Sequence, residues 1–372
     1  MKKVLILTTS TGQGHNQAAN SLIEAFTEEG FECVRHDFLA NNSKFLNDMI
    51  VGGYEISASK LPNTYGVFYK LTDSKVILKL LPLVFNNTIK KLNSLINSTK
   101  PDIIIGTHPF TVSILAKLKS QGMNVPFISV VTDFKAHYTY VSPLVDAYIT
   151  ASEYTKKSLV DRGINPDIIF PIGIPIKENF YESDKEISKI KDNGYFNLLL
   201  MSGSMGLKNI SYVLDELLTN PNKLRITVVC GNNEKLKNSL SKKCQSTYPN
   251  KKLHILGFSN DIASLMEFSD VIISKPGGLT VTEAIAKNLP LIIPFVIPGQ
   301  EMENTEFLTS SGYAYYVKDI QNINPTVNKL IQNPEYLKTM KTKLKLLSSS
   351  YSIKGIVNVA NSFIDKYNKK AN

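Results

Sequence analysis

Short apolar segments alternate with segments of helical periodicity along this 372-residue chain, and the alternation occurs twice. This pattern is typical of parallel sheets whose strands are covered by helices on both faces. The predicted strands of the first half are 4–9, 33–38, 103–107, 127–132, 147–151 and 168–172. Those of the second half are 198–201, 226–230, 253–256, 271–274, 291–294 and 314–317. The chain is therefore predicted to be an α/β protein.

The length and a polar interruption divide the pattern into two domains, because single cores rarely exceed roughly 250–300 residues. Residues 173–194 lose the apolar periodicity. We predict an N-terminal domain at 1–178, a linker at 179–196, a C-terminal domain at 197–350, and a helix at 351–372 that packs back toward the N-terminal domain. Each domain is expected to be a Rossmann-like, doubly wound parallel sheet. Ligands bind outside the carboxyl ends of such strands, so the two domains are expected to face a central cleft.

Charge and composition narrow the class of partner. The net charge is +10, and 43% of the residues are hydrophobic, which indicates a globular protein with anionic partners. The three cysteines have neither metal spacing nor a disulfide framework, and no segment is apolar for long enough to span a membrane. We therefore expect a cytoplasmic protein whose membrane contact is peripheral.

Residues 41–100 interrupt the α/β alternation with lysines and aromatic side chains. This segment holds eight lysines and three acidic residues. Cationic and apolar residues at helical spacing suit a helix in a lipid headgroup layer, which Lys75, Lys79, Lys90 and Lys91 would contact, but composition alone slightly favours the alternative. A buried helical insertion with solvated lysines is the alternative interpretation. No recognisable nucleic-acid-binding module is present.

A glycine-bearing turn follows the strand at 271–274 and leads into a helix. Gly277 and Gly278 allow backbone N–H groups to approach a phosphate, and the helix start adds partial positive charge. Glu283, inside that helix, is placed to accept the two hydroxyls of a ribose. The segment predicts a nucleotide site, although an ordinary strand–turn–helix connection has the same local pattern.

Two polar residues of the first half are candidates for proton transfer. His15 follows a glycine-bearing turn after the first strand, where a helix start favours a neutral imidazole. Asp133 ends the fourth strand, where catalytic groups of doubly wound sheets lie. Either residue fits a general base that removes a proton from a hydroxyl. The alternatives are a helix-start residue and a helix cap, respectively.

The motifs TGQGHNQAA, PDIIIGTHPF, VVTDFKAH, SKPGGLTVTEA and PGQEMEN make nearly the whole chain resemble the diacylglycerol glycosyltransferases. This family includes bacterial processive diacylglycerol β-glucosyltransferases and monogalactosyldiacylglycerol synthases, and has the GT-B architecture. The resemblance implies an inverting transfer of a sugar, with glucose preferred to galactose, from a UDP-sugar to diacylglycerol or to an already glycosylated diacylglycerol. It implies no permanently bound cofactor and no metal at the donor site. It also implies a bacterial enzyme on the inner face of the cell membrane, docked there through 41–100.

The same resemblance assigns roles to individual residues. Glu283 would hold the ribose, Phe258 would mark the uracil loop, and Gln300 and Glu301 would contact sugar hydroxyls. His15 and Asp133 become the candidates for the base. His137 and Tyr140 would lie on the acceptor side, with Tyr140 standing where the family usually has tryptophan. The predicted contacts of the diphosphate are Gly14, Ser202, Gly203, Ser204, Gly206, Gly277, Gly278 and Thr280.

Several functions stay open at the level of sequence. They are a UDP-galactose-dependent galactosyltransferase, the N-acetylglucosaminyltransferase of peptidoglycan precursor synthesis, a UDP-sugar epimerase, and a membrane-bound UDP-sugar sensor without turnover. The number of sugars added, the choice between His15 and Asp133, the oligomeric state and the physiological role of the glycolipid are not determined by these motifs.

Overall fold

The computed structural model describes residues 1–10, 13–41, 62–183, 194–201, 209–245 and 248–371. Spatial contacts divide the chain into two compact units. Unit 1 consists of 1–177, 297–303 and 350–372, and unit 2 consists of 178–296 and 304–349. Each unit contains one parallel sheet, and each is described separately below.

The sheet of unit 1 has six parallel strands in the order β2-β1-β3-β4-β5-β6. Apolar side chains line the central strands on both faces, and those of Val4 to Leu7 are completely buried. In register, Leu5 pairs with Val34 on one side and with Ile104 on the other. The strands are β1 Lys3–Thr8, β2 Glu32–Asp37, β3 Ile103–Gly106, β4 Phe127–Val130, β5 Ala147–Ile149 and β6 Ile169–Phe170.

The helices of unit 1 cover this sheet. In chain order they are α1 Gln13–Glu28, α2 Pro62–Thr72, α3 Lys75–Val84, α4 Asn86–Thr99, α5 Pro109–Ser120, α6 Glu153–Val160 and, near the C-terminus, α14 Ile353–Ala371. Local side chains set several starts: Ser74 caps α3, His108 caps α5 and Ser152 caps α6 by accepting backbone N–H groups. Short 3₁₀ turns occur at Tyr138–Tyr140 and Pro166–Ile168.

The sheet of unit 2 is also parallel throughout, in the order β12-β11-β10-β7-β8-β9. Its strands are β7 Phe196–Met201, β8 Leu224–Val229, β9 Lys251–Leu256, β10 Val271–Ile273, β11 Leu291–Ile293 and β12 Ala314–Tyr316. This is the strand order of classic dinucleotide-binding sheets, with β7 and β10 as the central neighbours.

Seven helices of the described residues accompany this second sheet. They are α7 Ile210–Leu218, α8 Glu234–Ser241, α9 Ile262–Phe268, α10 Gly278–Ala286, α11 Gln300–Ser310, α12 Ile323–Gln332 and α13 Pro334–Ser348. α11 begins in the segment that belongs to unit 1 and continues in unit 2. Short 3₁₀ turns occur at Glu178–Phe180, Lys242–Gln245 and Ile320–Asn322.

All twelve predicted strands are present, so the predicted α/β class with two doubly wound sheets is confirmed. The observed strands end up to two residues earlier than predicted. The difference arises at residues that pair with a neighbouring strand on one side only. Thr107, for example, donates its N–H to the carbonyl of Leu7 at 3.0 Å but lies beyond the end of β3. A break between Ser348 and Ile353 separates α13 from α14.

α14 belongs to unit 1 and is held there by polar contacts with Lys2, Lys119 and Asp146. Lys2 donates to Asn361 at 2.6 Å, and the Tyr367 hydroxyl donates to Asp146 at 2.6 Å. Lys119 forms an ion pair with the same Asp146 and donates to the Tyr367 hydroxyl at 2.8 Å. The exact domain boundaries given above stay a prediction, and most of the proposed linker, 184–193, lies outside the described residues.

Candidate active site

In unit 1 the winding of the sheet reverses between β1 and β3, because β2 lies on the other side of β1. Loops that follow such a strand pair diverge and leave a crevice at the carboxyl ends of the strands. His15, near the start of α1, lies at this point: its Nδ1 is 2.7 Å from the carbonyl oxygen of Thr107, directly after β3. Gly14 is the second residue of α1.

The hydrogen bond to Thr107 defines the protonation of the His15 ring. A carbonyl oxygen only accepts, so Nδ1 carries the proton and Nε2 keeps its lone pair. Burial lowers the pKa of His15 from 6.5 to about 4, although the Thr107 bond opposes that shift. The imidazole is therefore neutral at physiological pH, with burial rather than the helix start as the main cause.

A second histidine, which the sequence prediction did not include, lies against His15. The rings of His15 and His108 meet edge to face with their centroids 4.6 Å apart. His108 is 5% exposed, and its Nδ1 accepts the backbone N–H of Phe110 as the cap of α5. Burial, with the neighbouring His15, lowers the pKa of His108 well below its usual value. The sequence could have identified His108 by its position just after β3, within the GTHPF motif.

Asp133 follows β4 at the same edge of the sheet. Burial, together with the charges of Glu303 and Glu301, raises its pKa from 3.8 to about 7. A carboxyl group with this pKa exchanges its proton near neutral pH, as a general base requires. The sequence identified Asp133 by its place at a strand end, but its pKa depends on burial and on residues about 170 positions away in the chain.

Glu303 is the second residue of this region that the sequence prediction did not include. Its Oε2 accepts the hydroxyl of Tyr69 at 2.9 Å, and its Oε1 lies 3.1 Å from Nζ of Lys135. Tyr69 belongs to α2, and Lys135 lies two residues after Asp133. Glu303 stands in the PGQEMEN motif, which was the available signal. Its partners could not be found from local sequence.

The two predicted acceptor-side residues lie inside unit 1 rather than on its surface. Tyr140 is 1% exposed, and its hydroxyl is 3.0 Å from Oγ1 of Thr132. His137 is 7% exposed; its Nε2 donates to the carbonyl of Tyr69 at 3.2 Å, and its Nδ1 is 2.8 Å from Oγ1 of Thr139. The ring of Tyr140 fills the core and its hydroxyl is bonded there, and its role on the acceptor side stays a prediction.

In unit 2 the winding reverses between β7 and β10. The loop after β10 leads to Gly277, which has extended backbone and precedes α10 without any side-chain cap. Gly277 has no side chain that could cap α10, and an uncapped helix start of this kind suits phosphate binding. Thr280 and Glu283 follow in the first two turns of α10, and both side chains are partly exposed.

A buried asparagine holds the turn before α10. Nδ2 of Asn304, which is fully buried, donates to the carbonyl of Pro276 at 3.0 Å. This bond fixes the backbone that presents Gly277 and Gly278. The sequence prediction did not include Asn304, because its partner lies 28 residues away in the chain.

The remaining predicted donor contacts differ in their placement. Phe258 follows β9 and its ring is 63% exposed, which leaves its face available for stacking. Glu301 is 3% exposed, and its Oε2 accepts the backbone N–H of Ile297 at 3.0 Å. Gln300 is the first residue of α11. Four predicted diphosphate contacts lie outside the described residues: Ser202, Gly203, Ser204 and Gly206.

Helices α2 and α3 expose an unusual amount of apolar surface. We call the exposed side chains of these two helices the apolar surface of α2 and α3: Val67, Leu71, Val76, Leu80, Leu83 and Val84. Lys75, on α3, and Lys90 and Lys91, on α4, are also exposed. Lys79 belongs to α3, but its side chain lies outside the described part of the structure, as does all of 42–61.

Neither a candidate membrane span nor a metal cluster occurs among the described residues. No helix among them is both long and apolar enough to cross a membrane. Within the same part of the chain, no three His, Cys, Asp or Glu side chains come together as a metal site would require.

Comparison with protein families assigns both halves of the chain. Residues 15–176 match the monogalactosyldiacylglycerol (MGDG) synthase family, and residues 197–355 match the glycosyltransferase family 28 C-terminal domain. The first range includes His15 and β3 but begins after β1, and the second includes β10 and α10.

Known structures with low sequence identity share the fold. MurG of Acinetobacter baumannii superposes with a TM-score of 0.63 at 16% identity, covering 99% of this chain and 100% of that chain. MnaA of S. aureus, in a structure with UDP, gives a TM-score of 0.60 at 15% identity, covering 98% and 97%. These likenesses support the predicted GT-B fold class.

Curated relatives are more similar in sequence. The chain is 35% identical to the processive diacylglycerol beta-glucosyltransferase of Bacillus pumilus over 363 residues, 96% of this chain and 94% of that protein. It is 34% identical to the protein of the same name from Bacillus subtilis, over 92% of this chain and 91% of that protein. The chain therefore belongs to the family of the processive diacylglycerol beta-glucosyltransferases.

Proposed function

We propose that this protein transfers glucose from UDP-glucose to diacylglycerol and then to its own glucosylated product. The observation that supports this proposal most directly is the 35% identity, over 96% of the chain, to a relative named for that activity. A β-glucoside formed from an α-linked sugar nucleotide requires inversion at the anomeric carbon, and hence a single displacement.

The reaction breaks the bond between C1 of glucose and the β-phosphate oxygen, and forms a bond from C1 to the acceptor oxygen. UDP leaves with the electron pair of the broken bond. A base must take the proton of the acceptor hydroxyl, and donors must stabilise the negative charge that develops on the departing diphosphate.

We assign the nucleotide part of the donor to unit 2. The backbone N–H groups of Gly277 and Gly278, at the uncapped start of α10, would bind the diphosphate, with Thr280 as a further donor. Glu283 would accept the ribose hydroxyls, and the exposed ring of Phe258 would stack on the uracil. Gln300 and Glu301 would contact the sugar hydroxyls. The proposed reaction uses no permanently bound cofactor and no metal at the donor diphosphate.

We assign the base to Asp133. A base is most effective when its pKa lies near the operating pH, and the pKa of Asp133 is about 7, whereas that of His15 is about 4. His15 keeps a lone pair on Nε2, which suits it to accept a hydrogen bond from a substrate hydroxyl. His15 is thus proposed to orient the substrate, and Asp133 to take the proton.

We further propose that unit 1 docks on the inner face of the cell membrane through the apolar surface of α2 and α3. Diacylglycerol resides in lipid, so the enzyme must reach a membrane. Apolar side chains flanked by the exposed Lys75, Lys90 and Lys91 match an anionic headgroup layer.

Replacing Lys75, Lys90 and Lys91 together with glutamine is expected to weaken binding to anionic vesicles by roughly a hundredfold, because each lysine near such a surface contributes on the order of 1 kcal/mol. Binding of the unmodified protein should weaken as salt is added, since exposed charges are screened over about 8–10 Å at physiological ionic strength. Vesicle flotation measures both effects.

The matched control replaces three exposed lysines of unit 2, Lys235, Lys338 and Lys345, with glutamine. This variant should bind vesicles as the unmodified protein does. An equal loss in both variants would show that net charge, rather than this surface, attracts the protein.

The function itself is tested with the purified protein, diacylglycerol in anionic vesicles, and UDP-glucose, UDP-galactose or UDP-N-acetylglucosamine in turn. Chromatography of the lipids is expected to show lipid-linked glucose, followed by products with further glucose units. Transfer from UDP-galactose alone would show that the transferred sugar is galactose and not glucose. Absence of glycolipid with all three donors would contradict it.

A further inference from the structure

α2 presents two different faces to its surroundings. Val67 and Leu71 lie one turn apart on one face and are 59% and 68% exposed. Tyr69 lies between them in sequence and therefore on the opposite face, because successive helix residues are rotated by about 100°. That face is turned into unit 1, where the Tyr69 hydroxyl donates to Glu303 at 2.9 Å.

Tyr69 is held at three points. Besides the hydroxyl contact, its ring lies 4.7 Å from the ring of His137, and its carbonyl oxygen accepts Nε2–H of His137 at 3.2 Å. Just beyond α2, Asp73 accepts two hydrogen bonds from Arg162, at 2.6 and 2.9 Å. The inner face of α2 is thus attached to the loop that follows Asp133 and to the end of α6.

A second contact joins α2 to the segment 297–303. A Cβ atom placed on Gly66 would lie 2.5 Å from Cβ of Pro298, closer than two carbon atoms approach without a bond. Only glycine therefore allows α2 to come this near. α2 therefore contacts the segment 297–303 near both ends of that segment, at Pro298 through Gly66 and at Glu303 through the Tyr69 hydroxyl.

The segment 297–303 contains residues with proposed roles in the reaction. Gln300 and Glu301 are the proposed sugar contacts, and Glu303 and Glu301 are the charges that act on Asp133. Lys135 also reaches Glu303, at 3.1 Å. A displacement of α2 would consequently change the position of the sugar contacts and the surroundings of the base.

We propose that Tyr69 is a positioning residue through which α2, when its outer face engages a membrane, orders the segment 297–303. The inference deepens the proposed function, on which it rests for the roles of Gln300, Glu301 and Asp133. Binding to the membrane that contains the acceptor would then also order the groups that hold the donor sugar.

The test measures hydrogen–deuterium exchange of peptides covering 297–303, with and without vesicles of phosphatidylglycerol and phosphatidylcholine. In the unmodified protein, vesicles are expected to slow exchange of this segment by about tenfold, because binding favours the ordered state. Tyr69→Phe removes only the hydroxyl. It is expected to bind vesicles normally by flotation and to lose the slowing of exchange.

Two further variants separate this role from general destabilisation. Glu303→Gln, which alters the partner of the hydroxyl, should also lose the effect, and the double variant should lose no more than either single one. Tyr212→Phe changes an exposed tyrosine of α7 and should behave as the unmodified protein. Val67→Ser with Leu71→Ser should reduce vesicle binding itself.

Exchange does not depend on glucose transfer, so this inference and the proposed function fail separately. Equal slowing in Tyr69→Phe and in the unmodified protein would overturn the inference, as would an unmodified protein whose segment 297–303 does not respond to bound vesicles. In the transfer assay, Tyr69→Phe is expected to lower kcat/KM for UDP-glucose by about tenfold, as the loss of one hydrogen bond to a carboxylate predicts.

Discussion

Asp133→Asn is expected to lower the rate of glucose transfer by roughly a thousandfold while leaving the affinity for UDP unchanged. Asparagine keeps the size of the side chain but cannot take a proton, and general base catalysis contributes about 10²–10⁴-fold. The proposed donor contacts belong to other residues, so calorimetric titration with UDP should give the unmodified affinity. Single-turnover transfer to diacylglycerol vesicles measures the rate.

The pH dependence of the unmodified enzyme gives an independent measure of the same group. Only the carboxylate form of Asp133 accepts a proton, so kcat/KM should rise as the pH increases through the pKa of about 7. Besides Glu303 and Glu301, the hydroxyls of Tyr69 and Tyr140 lie near this carboxyl. Both tyrosines are neutral in this range, since burial raises the pKa of each.

Two variants serve as comparisons for Asp133→Asn. Asp167→Asn changes an exposed aspartate of unit 1 and should transfer glucose normally. His15→Ala should lose less activity than Asp133→Asn, because His15 is proposed to orient the substrate. Full activity of Asp133→Asn, with most activity lost in His15→Ala, would assign the base to His15 instead.

Glu283→Ala is expected to weaken UDP binding by about a hundredfold or more. The carboxylate is proposed to accept both ribose hydroxyls, and each hydrogen bond to a charged group contributes about 1.5–3 kcal/mol. The residue lies in the second turn of α10 with a partly exposed side chain, so its removal leaves no large cavity. Calorimetry with UDP and with UDP-glucose measures the change.

The control for this variant is Glu335→Ala, which removes an exposed glutamate of α13 and should bind UDP normally. Thermal unfolding of both variants shows whether the fold is retained. Unchanged affinity for UDP in a folded Glu283→Ala protein would remove Glu283 from the donor site and with it the proposed role of α10 in ribose recognition.

The amino-acid sequence determined the fold class and the elements that build it. Apolar runs of four to six residues are long enough to specify buried parallel strands, and all twelve appear where the pattern predicts them. Residues beyond the strand ends, such as His15, Asp133 and Gly277, were also visible, because the carboxyl edge of each doubly wound sheet is defined by chain order alone.

Only the tertiary structure decided how these residues are surrounded. The bond between Tyr69 and Glu303 joins positions 234 residues apart, and no local periodicity encodes such a pair. Burial raises the pKa of Asp133, and the charges of Glu303 and Glu301 raise it further. Tyr140, which the resemblance places on the acceptor side, is buried because its ring fills the core beside Thr132. Local pattern specifies the strands and their ends, whereas long-range packing specifies burial, charge and the state of the base.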